Sequence, residues 1–216
     1  MDENDIFNLW GIFGADEIPT QPPLEDFQIT KNFKFFEFLV TNTGKPNRPN
    51  DEQIENIKKT AKAIQPIRDK VGKIQVISGY RSPEVQAALT GSGNVQVSKK
   101  SLHMEGMAAD IVPQEMSAEK VFATIASDPK LYNSLGEIAL KNTCLHISIP
   151  TPTKQGYFME VINNIYYSMS PNRVNEIVNK YVAVIKEYKK TSIGVALALM
   201  SGLGFGTFLL IKKLRK

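Results

Sequence analysis

The clearest regular pattern in the chain is a run of apolar residues at helical spacing after Asn50. Apolar side chains recur three or four positions apart at Ile54, Ile57, Ala61, Ile64, Ile67 and Val71. This spacing predicts an amphipathic helix with one buried face. Asn50 or Asp51 can cap its start, and Gly72 is suited to its end. Pro66 predicts a kink or an early end, because proline lacks a backbone N–H and its ring crowds the preceding turn.

Shorter segments alternate between apolar and polar residues, which is typical of strands. Residues 73–78 should form a strand that ends at Gly79-Tyr80-Arg81, residues 108–112 a central strand, and residues 144–149 a last strand. Ser117 can cap a short helix that follows the central strand. Helices set against a small, mainly antiparallel sheet predict an α+β fold.

Both histidines of the chain lie in patterns that suit a metal site. His103 and Asp110 are separated by six residues, which include a glycine and two alanines, so they can converge on one point. His146 stands on the strand face opposite Leu145 and Ile147. Two imidazoles and one carboxylate form a three-ligand catalytic zinc set with a fourth position left for water. Taken alone, a histidine followed by an aspartate is more often accidental.

Three separated motifs resemble, in order and spacing, the zinc D-Ala-D-Ala carboxypeptidase family, and within it the M15A-type cell-wall peptidases of phages and prophages. The motifs are ISGYRSPEV at 77–85, Ser98 with SLHMEGMAADI at 101–111, and LHIS at 145–148. The resemblance covers residues 31–150. It implies a small sheet with flanking helices around a zinc cleft, with His103, Asp110 and His146 as the zinc ligands and Arg81 holding the substrate.

The resemblance also implies a carboxylate that acts as general base near the last histidine. The usual position, three residues before that histidine, is Thr143, which cannot accept a proton in this way. Glu137 is the nearest carboxylate in the sequence and is therefore the candidate catalytic residue. Lys141 can occupy the expected place instead, and Glu137 is equally compatible with an ordinary surface charge.

Two functions follow from these motifs. The first is a zinc metallopeptidase that hydrolyses D-Ala-containing stems or crosslinks of peptidoglycan, encoded by a phage for entry or lysis. The second is a structural or wall-binding protein of the virion or membrane that keeps the zinc site with impaired catalysis. The two differ in the general base, whose loss costs about 10²- to 10⁴-fold in rate.

Composition narrows the possible partners only slightly. The chain has 216 residues, 42% hydrophobic content and a formal charge of +4. This charge is modest and partly concentrated at 212–216, so we do not infer nucleic-acid binding. A single cysteine, Cys144, excludes an intramolecular disulfide.

The two ends of the chain differ from its middle. We expect residues 1–30 to form an irregular arm. This arm should not contain a secretory signal, because the first residues are acidic whereas a signal peptide begins with basic ones. Beyond the peptidase-like domain at 31–150, residues 151–190 predict a linker and an amphipathic stalk helix that starts at Ser170-Pro171.

The segment at 191–212 predicts a transmembrane helix, followed by a basic tail at 213–216. Residues 192–211 carry no charge and are long enough to cross a bilayer, although a buried globular helix is the alternative. This predicts single-pass localisation with a C-terminal anchor, in a host membrane or a membrane-containing virion. A lipid bilayer and glycine-mediated helix–helix association are the partners that it implies.

Overall fold

The computed structural model describes residues 23–91 and 101–181, and within them the predicted α+β fold is confirmed. The strands are β1 (Gln28–Thr30), β2 (Phe33–Lys34), β3 (Ile74–Ser78), β4 (Ala108–Pro113), β5 (Glu137–Leu140), β6 (Leu145–Ser148), β7 (Tyr157–Ile162) and β8 (Ile165–Ser168). The helices are α1 (Asp51–Val71), α2 (Pro83–Gly91), α3 (Ala118–Ala126), α4 (Pro129–Tyr132) and α5, which begins at residue 171 and is described to residue 181. Two 3-10 turns span Phe35–Leu39 and Leu102–Glu105.

The strands form a small sheet and a larger one. β1 and β2 make an antiparallel pair, and the larger sheet has the order β3-β4-β6-β5-β7-β8. The larger sheet is mixed, because β5 and β7 are parallel whereas the other neighbours are antiparallel. β7 and β8 lie beyond residue 150, where the resemblance ends, yet they are hydrogen-bonded into the same sheet.

Helix α1 begins at the predicted Asn50 cap and ends before Gly72, which is one of its two predicted ends. The Asn50 side chain accepts a hydrogen bond from the Gln53 N–H at 2.9 Å, and the Gln53 side chain accepts one from the Asn50 N–H at 2.8 Å. Gly72 follows the last turn with a φ of 86°. The predicted early end at Pro66 is wrong, since the helix continues to Val71. The fully buried side chains of its inner face on both sides of Pro66 stabilise the helix there, which offsets the lost backbone hydrogen bond.

The larger sheet has two chemically different faces. One face, which we call the core face, packs against α1 and α3 and carries fully buried apolar side chains, at Ile111, Ile138, Leu145 and Ile147. Successive side chains of a strand point to opposite sides, so the neighbours of these residues lie on the other face, which we call the cleft face. The register places Asp110 opposite His146, and His146 opposite Ala139. The alternation therefore brings Asp110, His146 and Glu137 to the cleft face.

Helix α5 packs against the domain over its described length. The Ser170 hydroxyl accepts a hydrogen bond from the Arg173 N–H at 3.2 Å, as expected for the predicted cap. Ile177 is buried, and Val174 and Tyr181 pack against the core. The rest of the predicted stalk lies outside the described residues, as does most of the predicted N-terminal arm.

The predicted single-pass membrane localisation is contradicted. Across 23–91 and 101–181, every helix is too short or too polar to cross a bilayer. Helix α1 has sufficient length, but its exposed face carries many charged residues, at a cost that the hydrocarbon core does not tolerate. A lipid bilayer and helix–helix association in a membrane are likewise unsupported as partners. The segment at 191–212, on which the localisation was based, lies outside the described residues.

Candidate metal centre

The first histidine is presented by a 3-10 turn that α1 holds in place. The Gln53 amide donates to the Met104 carbonyl at 3.0 Å, and the Thr60 hydroxyl donates to the Gly106 carbonyl at 2.9 Å. Gly106 ends the turn with a φ of 70°, and a Cβ there would lie 2.6 Å from the Gln53 carbonyl oxygen. Only glycine fits both requirements, so the turn that carries His103 depends on it.

The other two candidate ligands come from neighbouring strands. Asp110 on β4 and His146 on β6 are register partners, and both are buried at the floor of the cleft. The structure thus brings together the three residues that the sequence singled out. One ligand atom from each of His103, Asp110 and His146 lies within 4.8 Å of the others.

The hydrogen-bond partners of the two rings decide which nitrogen faces the cluster. His103 Nδ1 lies 2.7 Å from the Gly79 carbonyl oxygen, which can only accept, so this nitrogen carries the proton. His103 Nε2 therefore has the free lone pair. His146 Nε2 lies 3.3 Å from Glu137 Oε2, which leaves His146 Nδ1 to face the cluster. A second partner that fixes the tautomer is typical of histidines that bind metals.

The spacing of the three donor atoms fits a tetrahedral ion. His103 Nε2 and His146 Nδ1 are 3.1 Å apart, His146 Nδ1 and Asp110 Oδ1 are 3.1 Å apart, and His103 Nε2 and Asp110 Oδ1 are 3.6 Å apart. Zinc bonds of about 2.0–2.1 Å at tetrahedral angles place neighbouring ligand atoms roughly 3.3 Å apart. The cluster therefore fits zinc in both donor chemistry and size.

Burial and mutual contacts shift the pKa values of the three groups. Burial lowers the pKa of His103 to about 4, so its ring is neutral and able to ligate at neutral pH. Burial also acts to lower the pKa of His146, but hydrogen bonds to Asp110 and Glu137 outweigh it and leave that pKa raised. For Asp110, burial opposes ionisation, yet His103 and the other partners hold its pKa well below the usual value.

Two basic side chains also contact the Asp110 carboxylate. Lys141 Nζ lies 2.9 Å from both of its oxygens, and Arg81 Nη2 lies 3.1 Å from Oδ2. Arg81 is itself oriented by a hydrogen bond from Nε to the Ser78 hydroxyl at 2.9 Å. Burial acts to lower the pKa of Lys141, and the charge of Asp110 outweighs it, so this pKa is raised and the ammonium form persists. Arg81 lies at the site as predicted from its motif, whereas the contact between Lys141 and Asp110 was not predicted.

Glu137 reaches the site from β5. Its backbone N–H donates to the Ser148 hydroxyl at 2.8 Å, and its carboxylate contacts both His146 and Lys154. The hydrogen bond with His146, followed by the one with Lys154, lowers its pKa to about 2. Glu137 is therefore an ionised carboxylate that lies against a candidate zinc ligand. Thr143, at the usual position of the base, lines the same cleft.

The three candidate ligands lie at the floor of a cleft of about 670 Å³. Its walls include residues that the sequence analysis missed: Lys154, Met159, Val161, Asn163, Asn164 and Tyr166. These residues follow the segment that resembles the peptidases, so no motif drew attention to them. The pattern at 157–168 contains two apolar runs around Asn163-Asn164, which is typical of a β-hairpin and would have predicted these two strands, although not their place beside the cleft.

Comparison with known families supports the resemblance seen in the sequence. A family model described as Peptidoglycan L,D-endopeptidase MepK matches residues 50–132. The match includes Arg81, His103 and Asp110 and ends before Glu137 and His146. Comparison with curated proteins gives no match. The predicted M15 zinc-peptidase ancestry, hydrolase class and zinc cofactor are confirmed by the family match together with the His-Asp-His cluster.

Proposed function

We propose that this chain is an M15-type zinc peptidase that cleaves peptide bonds of peptidoglycan with one zinc ion held by His103, Asp110 and His146. The observation that carries this proposal is the set of three donor atoms at tetrahedral spacing on the floor of an open cleft. Three protein ligands leave one coordination position for water or substrate, as in catalytic zinc sites.

The residues around that ion have different roles. When bound, zinc supplies Lewis acidity to the scissile carbonyl and to the attacking water. The Gly79 carbonyl holds the His103 ring in the ligating tautomer, and Glu137 does the same for His146. Lys141 and Arg81 orient the Asp110 carboxylate through its two oxygens.

We assign the general base to Glu137. Within the described lining of the cleft, the carboxylates are Asp110 and Glu137, and Asp110 belongs to the ligand set. Hydrogen bonds to His146 and Lys154 lower the pKa of Glu137, which keeps its carboxylate ionised but also makes it a weak base. Its contact with His146 gives it a second task, which is to hold that ring in position.

Arg81 is our candidate for holding the substrate. Its guanidinium borders the cleft and is fixed by Ser78 and Asp110. A planar guanidinium fork matches a carboxylate by two parallel hydrogen bonds, and stem peptides of peptidoglycan carry such groups.

The substrate is an amide in the peptide part of peptidoglycan. The description of the matching family names an L,D-endopeptidase, whereas the motif resemblance points to bonds that involve D-Ala. We propose the L,D amide as the first candidate and a D-Ala bond as the second. From the resemblance alone, we further propose that a phage uses the activity for entry or lysis.

A wall-binding protein with impaired catalysis is the competing function. It is favoured by Thr143 at the usual position of the base and by the cation of Lys141 on the ligand Asp110. In that case the cleft would bind zinc and peptide without hydrolysis.

Digestion of purified peptidoglycan by the full chain separates the two functions. The wild type should contain one zinc per chain and release new amino groups, and mass spectrometry of the fragments should identify the bond. His103→Ala should lose zinc and activity, by about a thousandfold or more in rate, because a Lewis acid contributes several kcal/mol to such a reaction. Zinc without released amines would favour the wall-binding protein, and a wild type that takes up no zinc would exclude both functions.

A further inference from the structure

The β7–β8 hairpin at 157–168 extends the cleft face of the sheet beyond the metal site. Ala139 pairs with Met159, and Val161 pairs with Tyr166. Because Ala139 is also the register partner of His146, Met159, Val161 and Tyr166 stand on the same face as His146. All three line the cleft. The hairpin thus forms one wall of the space above the candidate ligands.

The opposite face of the hairpin is fixed to the rest of the domain. Phe158 packs edge-on against Phe122 and Tyr132, with ring centroids 5.5 and 5.7 Å apart. Glu160 forms an ion pair with Arg173 of α5 at 3.2 Å. Asn163 and Asn164, at the tip, have φ values of 51° and 63°, which are the left-handed conformations of a tight hairpin turn. The wall is therefore held in place before any ligand arrives.

Tyr166 combines closeness to the metal site with exposure. Its ring centroid lies 6.1 Å from that of His146, and Lys141 Nζ lies 5.8 Å from the Tyr166 centroid. Even so, 40% of Tyr166 is exposed, so a ligand in the cleft can cover the ring. Tyr167, the next residue, is 47% exposed but points to the other face of the strand.

The chemistry of the cleft defines the kind of ligand that this wall suits. Met159, Val161 and Tyr166 offer an apolar strip, which suits small aliphatic side chains and the flat face of a peptide group. Beside the strip stand the cations of Arg81, Lys141 and Lys154. These three cations contact only two carboxylates, those of Asp110 and Glu137, so one net positive charge remains beside the strip. A short peptide with small aliphatic side chains and a nearby carboxylate matches both features.

We propose that the β7–β8 hairpin is the substrate-binding wall of the cleft and that the Tyr166 ring packs against the peptide beside the scissile bond. The proposal rests on the proposed function and adds to it the place where the substrate peptide binds. It assigns a specificity role to a segment that the family match does not cover.

Adjacent tyrosines on opposite faces of β8 give the test. Tyr166→Ala should raise KM for a purified stem-peptide dimer about tenfold, which corresponds to the loss of one aromatic contact. Its kcat should stay within about threefold, and its zinc content and melting temperature should remain close to those of the wild type. Tyr167→Ala is the matched control and should leave KM unchanged. Val161→Thr, which is nearly isosteric and keeps the strand, should raise KM about threefold.

Binding measured separately from turnover distinguishes failure of this proposal from failure of the proposed function. Calorimetric titration of the zinc-loaded chain with the same peptide should show weaker binding for Tyr166→Ala, even if the wild type does not hydrolyse it. Equal KM and affinity in the Tyr166→Ala and Tyr167→Ala variants would overturn the proposal while leaving the peptidase function intact. Loss of zinc from Tyr166→Ala would also overturn it, because Tyr166 would then act on the metal site rather than on the peptide.

Discussion

The two faces of the larger sheet are built from the same strands and serve opposite purposes. On β4 and β6, the core face carries Ile111 and Ile147, which are fully buried, whereas the cleft face carries Asp110 and His146. The core face gains stability from apolar burial. The cleft face instead holds ionisable groups close together, at a cost in desolvation that their mutual contacts offset. Neighbouring residues of one strand therefore have different roles: one stabilises the core, and the next belongs to the metal site.

The largest effect is expected from Glu137→Gln on the cleft face. Glutamine keeps the size of the side chain and can still accept a hydrogen bond from His146, but it cannot take a proton from water. We expect kcat to fall about 10²- to 10⁴-fold with zinc retained, as measured by steady-state kinetics and metal analysis. The control is Glu160→Gln, the same substitution on β7 but on the face of the sheet that points away from the cleft. It should leave kcat unchanged.

Two results for Glu137→Gln would change the assignment. A loss of zinc that parallels the loss of rate would show that Glu137 acts by positioning His146. Full activity with full zinc would place the general base elsewhere.

On the core face, Ile111→Ala should affect stability rather than metal binding. It removes a fully buried side chain next to the ligand Asp110 and leaves a cavity between the sheet and the helices. We expect the free energy of unfolding to fall by about 2–5 kcal/mol in a urea titration. Zinc stoichiometry of the folded protein should not change.

Val112→Ala is the matched control on the same strand, since Val112 is only partly buried and should cost less. If Ile111→Ala instead released zinc with unchanged stability, it would be wrong that the core face stabilises the fold while the cleft face binds the metal.

The smallest effect is expected at the contact between α3 and α5. Glu119 accepts hydrogen bonds from Lys180 and from Tyr181, and these lower its pKa. A carboxylate with a lowered folded pKa stabilises the fold above its unfolded pKa, and that contribution is lost as pH falls through the folded value. Glu119→Gln should therefore lower the melting temperature by about 1–3 °C at pH 7.

The difference between wild type and Glu119→Gln should disappear in acid, where Glu119 is protonated in both the folded and unfolded states. A thermal melt series across pH measures this. A difference that persisted at low pH would mean that the ionised carboxylate is not its cause.

The segments with strong local patterns were predicted well. The apolar face of α1, its Asn50 cap and its Gly72 end follow from spacing and from backbone preferences, which act between near neighbours. The early end predicted at Pro66 is wrong because buried apolar residues on either side of it outweigh a local preference. Asp110 and His146 could be identified because their motifs match the zinc D-Ala-D-Ala carboxypeptidase family in residue type and in order along the chain. Lys141 and Tyr166 have no such motif, and their contacts depend on strand register.

Sequence by itself determined helix α1, the strands β3, β4 and β6, the α+β class and the three side chains that form the metal cluster, since each depends on local periodicity or on a short motif. The tertiary structure alone decided that His146 turns Nδ1 to the cluster and Nε2 to Glu137, that Lys141 lies on Asp110, and that the β7–β8 hairpin walls the cleft. The physical reason is that these contacts join residues on different strands. Their distances are set by the pairing of β4, β6, β5 and β7 and by the packing of the sheet on its helices.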